Sequence, residues 1–175
     1  MPDPKQHYEK RPTFEQLLRS IPGFRGYLEK EYRRDSDDLQ RKWLADRLQR
    51  CKPALDALAR TLADAAQLDL LPQIDRLRAR LDRLIGQIRG AMRGYSGFFD
   101  LVQVDERLLD EVYDYDAQLT AAVELLAGQV EELPAQAAQV AAALPQVARQ
   151  LDELDRKWDG REDLLRGLGG QKQAL

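Results

Sequence analysis

The sequence predicts an all-α protein: an elongated antiparallel helical bundle, coiled-coil-like, with three to four long helices and one short N-terminal helix. Apolar residues recur at alternating spacings of four and three over most of the chain, which sets one stripe of each helix toward a partner. Proline and glycine fall between these stripes or at a few points inside them, as helix punctuation. The first long stretch, about 45 residues, would reach roughly 65 Å as a helix, which is too long for a compact globule.

Residues 1–12, with Pro2, Pro4 and Pro12, read as a flexible N-terminal arm. Thr13 followed by Gln16 resembles a capping box, which predicts a short helix over Thr13–Ser20. Ile21-Pro22-Gly23 should stop it, since proline biases its predecessor away from the α region and glycine permits a turn. From Phe24 to about Leu68 the pattern is helical, with Leu44, Leu48, Cys51, Leu55, Leu58 and Leu62 on one stripe. Pro53 lies inside it, and because the phase is unbroken across the proline a kink is expected there rather than a break.

Leu70-Leu71-Pro72 ends one element and starts another, proline being tolerated in a first helical turn. Ile74, Leu77, Leu81, Leu84, Ile88 and Met92 form the next seam, with Asp75, Arg76, Arg78, Arg80, Asp82 and Arg83 on the opposite face. The helix should end near Gly90–Gly94, and Tyr95-Ser96-Gly97-Phe98-Phe99-Asp100 reads as a docked aromatic turn. A further helix should begin at Asp105, whose carboxylate complements the helix dipole. Its stripe is read as Val112, Tyr115, Leu119, Ala122, Leu126 and Val130, with one extra residue before Val130, and continues through Leu133, Ala137, Val140, Leu144, Val147, Leu151, Leu154 and Trp158. A break or bend of this run is expected at Leu133-Pro134, and Pro145 is expected to bend a helix already under way. The bundle should therefore occupy residues 13–166, with 167–175 (GLGGQKQAL) as a flexible C-terminal tail.

Composition narrows the chemistry. The net charge is −3, but residues 1–95 carry 20 Lys/Arg against 14 Asp/Glu, and residues 96–175 carry 7 against 16. Opposite fields would help the halves choose their pairing, and a strongly basic nucleic-acid binder would look different. Arg33, Arg34, Arg41 and Lys42 lie near Tyr27, Tyr32 and Trp43, yet Glu29, Glu31, Asp35, Asp37 and Asp38 are interleaved with them, so salt bridges within the helix, such as Glu29 with Arg33, are expected and no nucleic acid. One Cys and one His exclude an internal disulfide and argue against a protein-supplied zinc site, and no Glu-x-x-His is present for a helical di-metal centre. Cys51, on an apolar stripe, reads as a small core residue. Asp105, Asp110, Asp114 and their neighbours in DERLLDEVYDYD read as a solvated acidic face. No cofactor, metal or catalytic residue is expected, and neither a signal peptide nor a membrane span is read, so a cytoplasmic protein with at most peripheral membrane contact is the expectation.

Two segments combine glycine with aromatics: IPGFRGY (21–27) and GYSGFFD (94–100). If the second and third long helices pack as a hairpin, the second segment lies at its tip. Phe14, Phe24, Tyr27, Tyr95, Phe98 and Phe99 would then form an end cluster, either a plug that staples the short helix to the bundle or an exposed patch for a partner. Phe24, Tyr27, Arg33, Arg34, Tyr95, Phe98 and Phe99 are the candidate partner-binding residues.

IPGFRGYLEKEYRRDSD and GYSGFFD also resemble the corresponding segments of a group of uncharacterised bacterial helical proteins, over roughly residues 13–130. The resemblance implies a bacterial source and an all-α fold, and it carries over no catalytic residue. Abundant heptad pattern with few nucleophile–base pairs points to a non-enzymatic interaction scaffold or adaptor, binding protein partners or itself. The alternatives are a peripheral, envelope-stress-associated helical protein and a ligand binder or enzyme whose pocket uses Arg33, Asp100, Tyr113 and Tyr115.

Overall fold

A computed structural model describes residues 12–90, 106–134 and 136–170, with side chains to 167. They form α1 (Pro12–Ser20), α2 (Lys30–Asp64), a 3-10 turn at Leu68–Leu70, α3 (Leu71–Gly90), α4 (Glu106–Glu131) and α5 (Ala137–Gly170). The described residues are all-α, as the spacing predicts, and the long helices pack into a bundle.

Two hairpins build it. α2 and α3 run antiparallel, since Asp46, Lys52 and Asp56 of α2 pair in reverse order with Arg89, Asp82 and Arg78 of α3. α4 and α5 run antiparallel around Pro134, with Gln118 bonded to Lys157 and Asp116 to Arg161. The hairpins lie side by side with both tips at one end. α2 and α4 are parallel neighbours, because Gln40 meets Asp116 while Arg47 meets Glu124 and Glu131. The condition that α3 and α4 pack as a hairpin is not met: the hairpins are α2–α3 and α4–α5. Short connections, 65–70 and 132–136, can only join antiparallel neighbours.

Several boundaries also differ from the sequence reading. α2 starts at Lys30 rather than Phe24, because Gly23 and Gly26 both take a φ of +82° and the residues between α1 and α2 are used as a packed loop. Thr13 lies inside α1, which includes Pro12 in its first turn. α5 continues to Gly170, into the stretch expected as a tail. Pro53 and Pro145 both stay within continuous helices, and of the break or bend expected at Pro134 the chain takes the break. Asp105 and Met92 lie outside the described residues.

The α4 stripe is more regular than the sequence reading allowed. Its buried residues are Val112, Asp116, Leu119, Val123, Leu126 and Val130, an unbroken 4-3-4-3-4. Tyr115 and Ala122 are only half-buried, and the extra residue assigned before Val130 does not exist. On α5 the same spacing runs from Val140 through Leu144, Val147, Leu151, Leu154 and Trp158 to Arg161 and Leu165.

The interior has two apolar parts. The larger fills the four-helix section from Leu44 and Trp158 to the tips. The described part of α3 reaches Gly90, opposite Asp46 on α2, whereas α2 extends back to Lys30, roughly 24 Å further along the axis. Along that stretch, the open end among the described residues, α1 packs on α4 beside the smaller cluster of Phe14, Leu17, Ile21, Phe24, Tyr27, Leu109, Val112, Tyr113 and Leu165.

Candidate functional site

Between the two apolar parts lies a buried polar layer, and it begins with the loop that precedes α2. Gly26 brings its backbone so close to α1 and α4 that a Cβ there would stand 2.5 Å from the Tyr113 hydroxyl and 2.6 Å from the Phe14 ring. The following amide, Tyr27 N–H, donates to Tyr113 Oη at 2.9 Å. Arg33 Nε donates to the Tyr27 carbonyl at 2.6 Å and its Nη2 to Leu28 O at 3.2 Å. The Arg25 amide donates to Ser36 Oγ. The loop's backbone is thereby satisfied by side chains of α2 and α4, as buried backbone must be. Phe14, Phe24, Tyr27 and Tyr113 pack ring on ring, the last two stacked at 5.5 Å.

So positioned, the Tyr27 hydroxyl donates to Asp116 Oδ2. Arg161 Nε donates to the other carboxylate oxygen at 2.6 Å, and its Nη2 reaches Asp37 Oδ1 at 2.8 Å and Tyr27 Oη at 3.3 Å. Arg41 Nε donates to the second Asp37 oxygen at 2.9 Å, and Arg41 Nη2 to Asp38 at 2.6 Å. Gln40 Nε2 and the Thr120 hydroxyl donate to the main-chain carbonyl of Asp116. Trp158 stacks beneath the Arg161 guanidinium at 5.7 Å. Arg161 and Asp116 are both 0 % exposed. Arg41 and Arg161 thus meet the carboxylates of Asp37, Asp38 and Asp116, with Glu162 at 3.3 Å from Arg161 Nη1, in a layer linked by a phenol and drawn from the loop, α2, α4 and α5.

The electrostatics follow from this geometry. Burial works against the Arg161 charge, but Asp116 and Asp37 outweigh it and hold the guanidinium protonated far above its ordinary value. Burial raises the Asp116 carboxyl above its usual range, and Arg161 and the Tyr27 hydroxyl offset part of that rise. Burial, then the Asp116 carboxylate, push the Tyr27 phenol well above 10. Cys51 is pushed up to about 11, chiefly by burial, which leaves a thiol rather than a nucleophilic thiolate at neutral pH.

Comparison of the chain with protein-family models, curated proteins and solved structures finds no match. The residues must be read on their own chemistry.

Of the candidate partner-binding residues, Phe24, Tyr27 and Arg33 face inward and Arg34 is exposed, while Tyr95, Phe98 and Phe99 lie outside the described residues. For the first three the plug reading fits and an exposed patch does not. The pocket set is not one constellation either: Arg33 and Tyr113 meet around the Tyr27 backbone, Tyr115 lies apart against Gly160, and Asp100 lies outside the described residues. Asp110 and Asp114 are exposed, as an acidic face requires, but Asp116 of the same segment is the most deeply buried carboxylate described. Asp37, Asp116 and Arg161 were missed as members of a site. The signal was present, since the 4-3 stripe of each helix, extended past its apolar residues, falls on Asp116, on Arg161, and on Arg41 and then Asp37. Among the described residues no group of three metal-ligating side chains occurs, and no helix is long and apolar enough to cross a membrane.

Proposed function

We propose that this chain is a non-enzymatic helical scaffold or adaptor, which binds protein partners or itself through the outer faces of a rigid bundle. One observation carries the reading: the described groups best suited to acid–base or nucleophilic work, Tyr27, Asp116 and Cys51, are all buried, and the first two are saturated by internal partners. A catalytic group needs a reacting atom within hydrogen-bond reach, and these have protein there instead. Because the apolar seams are consumed inside the bundle, partners must read its charged exterior. That exterior is polarised, with more Lys/Arg than Asp/Glu along α2 and α3 and the reverse along α4 and α5.

A bacterial cytosol is the setting favoured by the sequence resemblance and by a lone unpaired thiol. Light scattering at rising concentration, with cross-linking in lysate at low and high salt, tests the proposal. A self-associated species or a specific salt-sensitive partner supports it. A strict monomer with no partner at either salt overturns it.

A further inference from the structure

We infer that the buried layer of Tyr27, Asp37, Asp116 and Arg161 is the device that selects how the two hairpins pair, and that stability is supplied by the apolar seams on either side. The need for such a device follows from the seams themselves. α2, α4 and α5 each carry an apolar 4-3 stripe made largely of Leu, Val and Ala. Stripes of this kind keep their apolar contacts after a slip of one heptad, about 10.5 Å, so they do not define a unique register.

The connection does not define it either. Residues 91–105 join Gly90 to Glu106, and fifteen residues can span about 50 Å. The observed arrangement asks the connection to cover roughly 24 Å along the axis with a diagonal crossing of about 14 Å. Turning the second hairpin end for end would put Glu106 near the first hairpin's tip, roughly 27 Å from Gly90 along the axis, which is equally within reach. Turn lengths fix each hairpin but leave their mutual direction open. Among the ion pairs that cross from the first hairpin to the second, Arg47 with Glu124 and Glu131 and Arg80 with Asp152 have exposed carboxylates and are weakly directive.

The layer is different because it is dry. Asp37 belongs to the first hairpin, and Asp116 and Arg161 to the second. Only the observed register sets Arg161 against both carboxylates while Tyr27 caps Asp116. In a slipped or reversed pairing Arg161–Asp116 would persist within the second hairpin and Asp37–Arg41 within α2, but Asp116 would lose the Tyr27 hydroxyl, Arg161 would lose its second carboxylate, and both pairs would face leucines. A buried ion pair stripped of its further hydrogen bonds is no longer compensated for its desolvation, which outweighs a lost apolar contact. A polar group at one core position is known to fix register and partner choice in paired helices, at a cost in stability.

The test replaces the charges by neutral groups of similar size, Asp37→Asn, Asp116→Leu and Arg161→Met together. This leaves Arg41 an acceptor at position 37 and the Tyr27 hydroxyl an acceptor in Gln40 Oε1, 3.3 Å away. Spin labels at Arg60→Cys and Glu132→Cys, both exposed and near the two tips, report the pairing in a Cys51→Ala background. With the layer intact, one short distance is expected. The triple variant should melt at the same temperature or higher, remain helical, and show added distances: one displaced by a heptad, or a long one from reversed hairpins. A single unchanged distance in the triple variant overturns the inference. So does a variant that melts much lower or fails to fold, since the layer would then supply stability rather than choice.

Discussion

The tip half of the bundle and its open end are built on opposite principles. At the tips four helices meet, and the interior is leucine, isoleucine, valine and alanine with the Cys51 thiol, while the ion pairs have exposed carboxylates. At the open end, past the described part of α3, lie a buried charge layer, a loop with two left-handed glycines and a cluster of aromatic rings. Apolar packing is non-directional and degrades gradually, whereas the open end depends on particular atoms. The two halves should therefore answer differently to perturbation.

The largest difference is expected at Arg161. Arg161→Met alone leaves Asp37 and Asp116 buried without their shared cation, and should cost about 3–5 kcal/mol. Leu55→Ala in the tip half removes more apolar volume and should cost about 2–5 kcal/mol by cavity formation. The size of the effect does not separate them, but salvage does. Adding Asp37→Asn and Asp116→Leu to Arg161→Met should restore the loss in full, whereas no polar change compensates Leu55→Ala. Urea unfolding of the four variants decides it. If the single Arg161 variant and the triple variant are equally unstable, the contrast between the halves fails.

Gly26 comes next. Alanine there must hold φ at +82° and drive its Cβ into Tyr113 and Phe14, so a loss of about 2–4 kcal/mol is expected. Gly86 in α3 and Gly128 in α4 meet nothing within 4 Å at the same construction, and alanine should stabilise each by about 0.5–1 kcal/mol. Thermal melts of the three variants compare a glycine that the open end requires with two that the helices merely tolerate.

The fold was largely legible because it rests on spacing. Leu44 to Leu62, Ile74 to Ile88 and Val140 to Trp158 are core residues at the positions read from the sequence. The open end was not, for a reason visible in α4. A reading that admits only apolar residues to a stripe must step over Asp116 to Tyr115, and it then needs a phase shift to recover Val130. Had the spacing been trusted over the residue type, Asp116 and Arg161 would have appeared as opposite charges at core positions of successive helices. Tyr27 was singled out for its aromatic character, but nothing local to it shows which carboxylate it meets, since Asp116 lies 89 positions away.

Alkaline pH offers a finer probe of the open end. The folded Tyr27 phenol has its pKa raised well above 10, so its contribution is fully present below about pH 10 and is lost as pH rises through the folded value. Tyr27→Phe should be less stable than wild type at pH 8 by about 1.5–3 kcal/mol, the worth of a hydrogen bond to a charged group, and the gap should narrow by pH 11. Cys51, raised to about 11, follows the same sign in the tip half, so the comparison is made with Cys51→Ala in both chains. A gap that stays constant between pH 8 and 11 would show that the phenol ionises as freely in the fold as outside it.

The smallest effect belongs to the tip. α2 ends in a left-handed residue, Ala66 at φ 58°, with Gln67 N–H bonded to Leu62 O at 2.8 Å and Ala66 N–H to Ala63 O at 3.0 Å. That is the geometry in which helices ordinarily use glycine, since a Cβ is disfavoured in the left-handed region. Ala66→Gly relieves this strain but also frees the unfolded chain, and the two act in opposite directions. The strain is the larger, so a gain of about 0.5–1 kcal/mol is expected, read as a rise in melting temperature of a few degrees. Paired with Gly26→Ala, it shows glycine favoured at both ends, by about 0.5–1 kcal/mol at the tip and by about 2–4 kcal/mol at the open end. At the tip the left-handed residue is only a turn, and the chain gains from glycine. At the open end it is a contact with two aromatic rings, and no residue with a Cβ fits.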